Sequence, residues 1–109
     1  MAVAEAHPPP WMVCEAVFAE TDHLLNPAGR HALRTAIRRG ALHLVAVLSD
    51  EATSVLALLD KYQDVPMSAA DACVVRLTET LPDPLVLTTD TDFKIYRRHG
   101  RKVIPCLLP

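Results

Sequence analysis

Four acidic residues stand where a solvated carboxylate is not expected: Glu20, Asp71, Asp90 and Asp92. In "VCEAVFAETDHLL" the residues Val13, Ala16, Val17, Glu20 and Leu24 recur at helical spacing, which places Glu20 inside an apolar stripe. Glu15, Ala19, Asp22 and Asn26 fall on the more polar side of the same helix. A carboxylate on a buried stripe needs a basic partner, a proton or a metal ion. In "SAADACVVRLTE", Ser68 and Asp71 read as a capping box, and an acid in a first turn suits the helix dipole. That helix is apolar around most of its girth. Asp71 projects beside Val74 and Val75, away from Arg76, Glu79 and Thr80, and so toward a sheet. "LVLTTDTDF", residues 85–93, runs an apolar strand straight into Asp90 and Asp92. Those acids serve either as turn and cap residues or as carboxylates held at the end of a strand.

Glu20, Asp71 and Asp90 are expected to converge on one crevice, with Asp92 as a fourth candidate. Clustered like charges repel by several kcal/mol, on the order expected at intermediate dielectric. A divalent cation offsets that repulsion. An all-oxygen donor set selects Mg²⁺ or Mn²⁺ over zinc or copper. Such a centre suits phosphodiester hydrolysis, because the ion acidifies a bound water and stabilises charge on the phosphoryl oxygens. Other acidic motifs fail on spacing. An EF-hand beginning at Asp90 would need glycine at Ile95 and glutamate at Arg101. Glu20 and His23 match the Glu-x-x-His of di-iron bundles, but only one copy occurs, in an α/β pattern. The Asp90-Thr91-Asp92 triplet is similar to that of haloacid-dehalogenase-type phosphatases, which carry it near the start of the domain and not near its end. No glycine-rich phosphate loop and no G-x-S-x-G occurs in the chain.

The elements that would position these acids alternate between helix and strand. "WMV" reads as a short strand, and "CEAVFAETDHLL" as a helix stopped at "NPAG". "RHALRTAIRRG" is a second helix, basic in its last turn and closed by Gly40 at C′. "ALHLVAVL" is a strand. "SDEATSVLALLDKYQD" opens on a Ser/Asp cap and carries Val55, Leu58, Leu59 and Tyr62 at helical spacing. The Asp71 helix follows and ends at Leu81-Pro82. "LVLTT" is an apolar strand covered on both faces, "IYRRHG" a short helical piece, and "KVIPCLL" a last strand whose Pro105 marks a sheet edge. Alternating helices and apolar strands predict an α/β fold with a mainly parallel sheet, which binds ligands beyond the carboxyl ends of its strands.

Bulk properties narrow the class. With 109 residues the chain makes one domain: residues 1–10 form an extended, proline-rich lead-in, and residues 11–109 form the folded part. A composition that is 50% hydrophobic and 22% charged describes a folded protein. The net charge of −2 supplies no global attraction for nucleic acid, and 5% aromatic residues argue against base-stacking platforms. Local contacts would have to do that work. Arg97, Arg98, Arg101 and Lys102 lie close in sequence to the acids and read either as a grip on an RNA backbone or as a solvated loop. Arg34, Arg38 and Arg39 read as a solvated helix face. Cys14, Cys73 and Cys106 are scattered without a CxxC pair, which suits reduced core residues in a cytoplasmic protein. No apolar run reaches the ~18 residues that span a membrane, and the start lacks the features of a signal peptide.

"VFAE", "MSAADACVVRLTE" and "LVLTTDTDFKIYRRHGRKVIPCLLP", taken in that order, resemble the PIN domain family, in particular the VapC-type toxins of bacterial toxin–antitoxin modules. The likeness covers roughly residues 11–109. It implies a three-layer α/β sandwich with a four- or five-stranded parallel sheet. It also implies a Mg²⁺- or Mn²⁺-dependent endoribonuclease that forms homodimers and is silenced by a cognate antitoxin. Glu20, Asp71 and Asp90 match the family's acids, Asp92 the second acid of the strand-end motif, and Thr88 a supporting hydroxyl ahead of it. One part of the pattern has no counterpart. The family's first strand, central in the sheet, ends in an aspartate, whereas the only acid upstream of Glu15 is Glu5, in the proline-flanked lead-in. The chain thus reads as a PIN domain shortened at its N-terminus. The catalytically dead alternative is a remnant that keeps an antitoxin-binding or dimerising surface.

Overall fold

The computed structural model describes residues 7, 8, 10–88 and 91–107. Asp90 and Glu5 lie outside the described residues. The described elements run β1 (Trp11–Cys14), α1 (Glu15–Leu24), α2 (Pro27–Arg38), β2 (Leu42–Val45), α3 (Ala52–Lys61), α4 (Ala69–Glu79) and β3 (Val86–Leu87). A 3₁₀ turn over Thr91–Lys94 precedes β4 (Arg97–Arg98), β5 (Lys102–Val103) and β6 (Cys106–Leu107). The protein is α/β, as the alternating pattern predicts.

Local chemistry sets most of these bounds. Leu25 and Asn26 are extended, as a residue ahead of proline prefers, and this stops α1. Asn26 then caps α2: its side-chain oxygen accepts from Gly29 N–H at 2.8 Å, with Pro27 in the first turn. Gly40 closes α2 at φ +79, the left-handed conformation expected of a C′ glycine. Ser68 and Asp71 form a complete capping box at the start of α4. The helix α3 departs from expectation, since its N-cap is Glu51, with no side-chain hydrogen bond, and Ser49 and Asp50 remain outside it.

The segment "IYRRHG" is not helical. Arg97–Arg98 pairs antiparallel with Lys102–Val103, and the turn between them carries His99 at φ 52 and Gly100 at φ 80. Two consecutive positive φ values are those of a tight hairpin turn, which glycine accommodates without strain. The short helical turn falls upstream instead, at Thr91–Lys94.

The larger difference concerns the sheet. Among the described residues there is no four- or five-stranded sheet. β1 pairs in parallel with β2, β3 pairs in parallel with β6, and β4 and β5 form the antiparallel hairpin. β1 and β3 do not pair with each other. Neighbours in a parallel ladder use alternate residues. Trp11 N–H donates to Ala41 C=O, so Trp11 and Val13 serve β2, while Met12 and Cys14 direct their backbone groups the other way. Val86 and Thr88 N–H donate to Pro105 and Leu107 C=O, so Leu85 and Leu87 likewise face away from β6.

The helix α4 lies at the centre. It buries Ala70, Ala72, Cys73, Val75 and Thr78, and packs on α1, α3 and β1. The core around it contains Cys14, Val47, Val55, Leu58, Tyr62, Phe93, Tyr96 and Ile104. Small residues on α4 let its backbone approach these neighbours closely. Cys14, at the end of β1, and Cys73, on α4, both belong to this buried core. Burial pushes both thiols up, Cys73 to about 12 with a further contribution from Cys14, so both stay protonated core groups.

A candidate acid-lined cleft

A cleft of about 850 Å³ separates the two parallel strand pairs. Trp11, Met12, Val13 and Cys14 of β1 form one wall, and Leu85, Val86, Leu87 and Thr88 along β3 form the other. The helix α4 contributes Ala70, Asp71, Val74, Leu77 and Thr78, and α1 contributes Val17, Glu20, Thr21 and Leu24. Most of this lining is apolar, and among the described residues its carboxylates are Glu20 and Asp71.

Glu20 and Asp71, far apart in sequence, thus share one cleft with Thr88. Asp90 follows two residues after Thr88, outside the described residues. Asp92 begins a different contact: it sits half-buried on the 3₁₀ turn, where its C=O accepts from Ile95 and Tyr96 N–H. The lining of the cleft passes from Thr88 to Phe93 without Asp92.

Asp71 is held firmly. Its N–H donates to Ser68 Oγ at 3.1 Å, and its Oδ2 accepts from Ser68 N–H at 3.2 Å. The Tyr96 hydroxyl reaches the same Oδ2 at 3.1 Å, with Pro66 C=O 3.3 Å from that hydroxyl. The capping box was legible in the sequence. The tyrosine was not, because it comes from a segment 25 residues away with no local pattern to announce it.

Glu20 is exposed, contrary to its place in an apolar stripe. The stripe argument assumes that the face of α1 is covered along its length. Instead the second half of α1 borders the open cleft, and Leu24 on the same face is 82% exposed. Glu15, expected among solvated acids, is the anchored one. Its Oε1 accepts from Val47 N–H at 2.8 Å and Leu48 N–H at 2.7 Å, and Ser49 Oγ lies 3.4 Å from Oε2. Burial pushes this carboxyl up, but the backbone donors of Leu48 and Val47 outweigh it and hold it below its usual range. Glu15 ties the start of α1 to the end of β2, a structural task.

The arginines proposed to meet RNA are engaged with the protein. One Arg97 guanidinium nitrogen donates to the C=O of Lys94, Ile95 and Tyr96, at 2.6, 3.0 and 3.0 Å. Arg98 donates to Thr78 and Leu81 C=O, both at 2.7 Å, and so satisfies carbonyls at the end of α4. Arg101 is exposed. On the opposite side, Arg34 is not merely solvated: it grips Asp22 with two hydrogen bonds of 2.9 and 2.7 Å. Arg30 caps the last turn of α1 through Asp22 and His23 C=O.

The donor chemistry of Glu20 and Asp71 suits Mg²⁺ or Mn²⁺, which take carboxylate oxygens. Among the described residues, which do not include Asp90, no three His, Cys, Asp or Glu side chains group closely enough to hold a metal ion. One Asp71 oxygen is also already committed to Ser68 and Tyr96. Among the described residues, no helix is long and apolar enough to cross a membrane. Comparisons with family models, with curated proteins and with solved structures find no match to this chain.

Proposed function

We propose that this chain is a PIN-like domain of a toxin–antitoxin ribonuclease lineage, whose acid-lined cleft is the site for RNA phosphodiester hydrolysis. The observation that carries this reading is the meeting of Glu20, Asp71 and Thr88 in one cleft, from three separate elements. A bound Mg²⁺ or Mn²⁺ would supply Lewis acidity at the scissile phosphate. Glu20, Asp71 and Asp90 are the residues that would hold it, with Asp92 as the further acid and Thr88 as the supporting hydroxyl. Asp71 is pre-oriented by Ser68 and Tyr96, which limits the reorganisation on binding a cation. Arg101 is the exposed candidate for a phosphate contact. The partners of this reading are RNA, a cognate antitoxin and a second copy of the chain, in the cytoplasm.

A second reading keeps the same ancestry without catalysis: a remnant that presents an antitoxin-binding or dimerising surface. The commitment of one Asp71 oxygen to Ser68 and Tyr96, and of Arg97 and Arg98 to backbone carbonyls, favours it. One experiment separates the two. On the first reading, Mn²⁺ raises the melting temperature of the purified chain, and Glu20→Gln or Asp90→Asn removes the rise. A labelled RNA is then cut in Mn²⁺ and left intact in EDTA. A melting temperature indifferent to Mn²⁺ in the unsubstituted chain rejects the ribonuclease reading. A rise without cleavage selects the remnant.

A further inference from the structure

We infer that the outer face of α2 grips the phosphate backbone of a single-stranded RNA through Arg34, Arg38 and Arg39, outside the acid-lined cleft. The inference rests on the reading of RNA as the substrate, and it gives that substrate a second contact with the protein. Charge is unevenly spread along the chain. Between Asp22 and Asp50 stand four arginines, Arg30, Arg34, Arg38 and Arg39, and no acid, in a protein of net charge −2. The cleft is the reverse. Among the described residues its lining holds Glu20 and Asp71 and no lysine or arginine. A polyanion finds little to hold it there before a cation binds. A separate basic surface supplies that hold.

The helix presents these arginines outward. Pro27, Ala28, His31, Ala32, Arg34 and Arg38 are its exposed residues, and Arg39 at its C-cap is exposed too. Arg34 and Arg38 stand one turn apart on the same side, about 6 Å along the axis. Arg30 turns inward and donates to the carbonyls of Asp22 and His23. Arg34 already holds an anion. Its guanidinium donates to both oxygens of Asp22, at 2.9 and 2.7 Å, while its side chain stays 48% exposed. Such a fork takes a phosphate as readily as a carboxylate. Arg38 and Arg39 have no ion-pair partner among the described residues. The helix dipole favours cations in this last turn by about 0.3–1 kcal/mol each, and leaves their guanidinium groups open to a ligand.

What accompanies the charges selects the partner. The large apolar residues of α2, Leu33 and Ile37, are half-buried on its other side. Beside its arginines and His31 the outer face exposes only alanine and proline. A protein partner needs aromatic or aliphatic anchors, and an anionic membrane needs a broad apolar face to enter it. A nucleic-acid backbone needs neither, because its sequence-independent binding is electrostatic. The surface also lies near the cleft. The helix α2 packs on α1, whose Glu20 and Leu24 border the cleft, and helices so packed lie about 8–10 Å apart. One RNA strand can therefore touch both.

A labelled single-stranded RNA of about 12 nucleotides is the probe, read by anisotropy in EDTA so that no cleavage intervenes. Saturable binding is expected, with log affinity falling against log salt at a slope of about −2, the value for three phosphate contacts on a single strand. Arg38→Gln with Arg39→Gln, checked for native circular dichroism, is expected to reduce the slope to about −0.7 and to weaken binding about tenfold or more at low salt. Asp22→Asn releases the Arg34 fork and is expected to tighten binding several-fold, which the loss of a merely structural ion pair would not do. Lys61→Gln with Lys94→Gln makes the same change in net charge elsewhere, and is expected to leave affinity within about twofold. Unchanged affinity or slope in the Arg38 and Arg39 variant overturns the inference. Poly-glutamate bound as tightly as RNA, or phosphatidylserine vesicles bound in its place, overturns it in favour of an acidic protein or a membrane. Binding in EDTA that depends on Arg38 and Arg39, without cleavage in Mn²⁺, supports the grip and counts against the cleft alone. Cleavage in Mn²⁺ with binding indifferent to Arg38 and Arg39 overturns the grip and leaves the cleft standing.

Discussion

Tyr96→Ala is expected to lower the unfolding free energy by about 3–5 kcal/mol, the range for removing a fully buried aromatic ring. Tyr96 is 0% exposed. Its ring meets Tyr62 and Phe93 edge to face, with centroids 5.3 and 5.2 Å apart. Its hydroxyl reaches Asp71. A domain of this size typically has about 5–15 kcal/mol in total, so the loss approaches unfolding. Urea denaturation at neutral pH measures it. Tyr96→Phe keeps the ring and removes the hydroxyl, and is expected to cost only about 1 kcal/mol. If the two variants lose equal stability, the ring cluster is not what holds the C-terminal segment to α4.

Glu15→Gln is expected to cost about 2 kcal/mol near neutral pH, because two backbone donors lose a charged acceptor. The amide cannot replace the carboxylate at both Val47 and Leu48 N–H with equal strength. The pH dependence has a definite sign. The folded-state carboxyl lies below its usual value of 4.5, held there by the backbone donors against the opposing effect of burial. Its contribution is therefore complete above that value and disappears as pH falls through the lower folded-state value. The stability gap between the native chain and Glu15→Gln is expected to be widest near pH 7 and to narrow as pH falls below 4.5 and through the lower folded-state value. Denaturation midpoints at pH 7 and pH 3 test this. A gap that stays constant would mean that the charge on Glu15 contributes nothing to folding.

Much of the architecture could be read directly from local chemistry. Gly40, Asn26 with Pro27, and the Ser68–Asp71 box each end or begin a helix through contacts within four residues, and a sequence displays such contacts openly. The spacing of Val55, Leu58 and Tyr62 likewise foretold the buried face of α3. The hairpin over Arg97–Val103 carries a legible signal in His99-Gly100, which suits a tight turn between two short runs, whereas the periodicity of six residues is too short to choose between helix and strand. The roles of Glu15 and Glu20 were out of reach for a different reason. Which face of α1 is covered depends on β2 and on the width of the cleft, and both are set by segments distant in sequence. Asp71 lines the cleft from α4, and its partner Tyr96 is a tertiary choice that no local pattern announces.

The division of the strands into pairs changes where cooperativity resides. In a continuous sheet, hydrogen-bond ladders link each strand to the next, and one end of the domain senses the other through the backbone. Here β1 with β2, and β3 with β6, are each closed by a local stretch of chain. The helix α4 packs on β1, while Val86 of β3 and Cys106 of β6 pack on the common core that holds Ala72, Cys73 and Val75 of α4. Dispersion forces at such contacts fade within a fraction of an ångström. The two pairs therefore fold as one unit through this shared side-chain core, and loosening its packing at α4 would uncouple them.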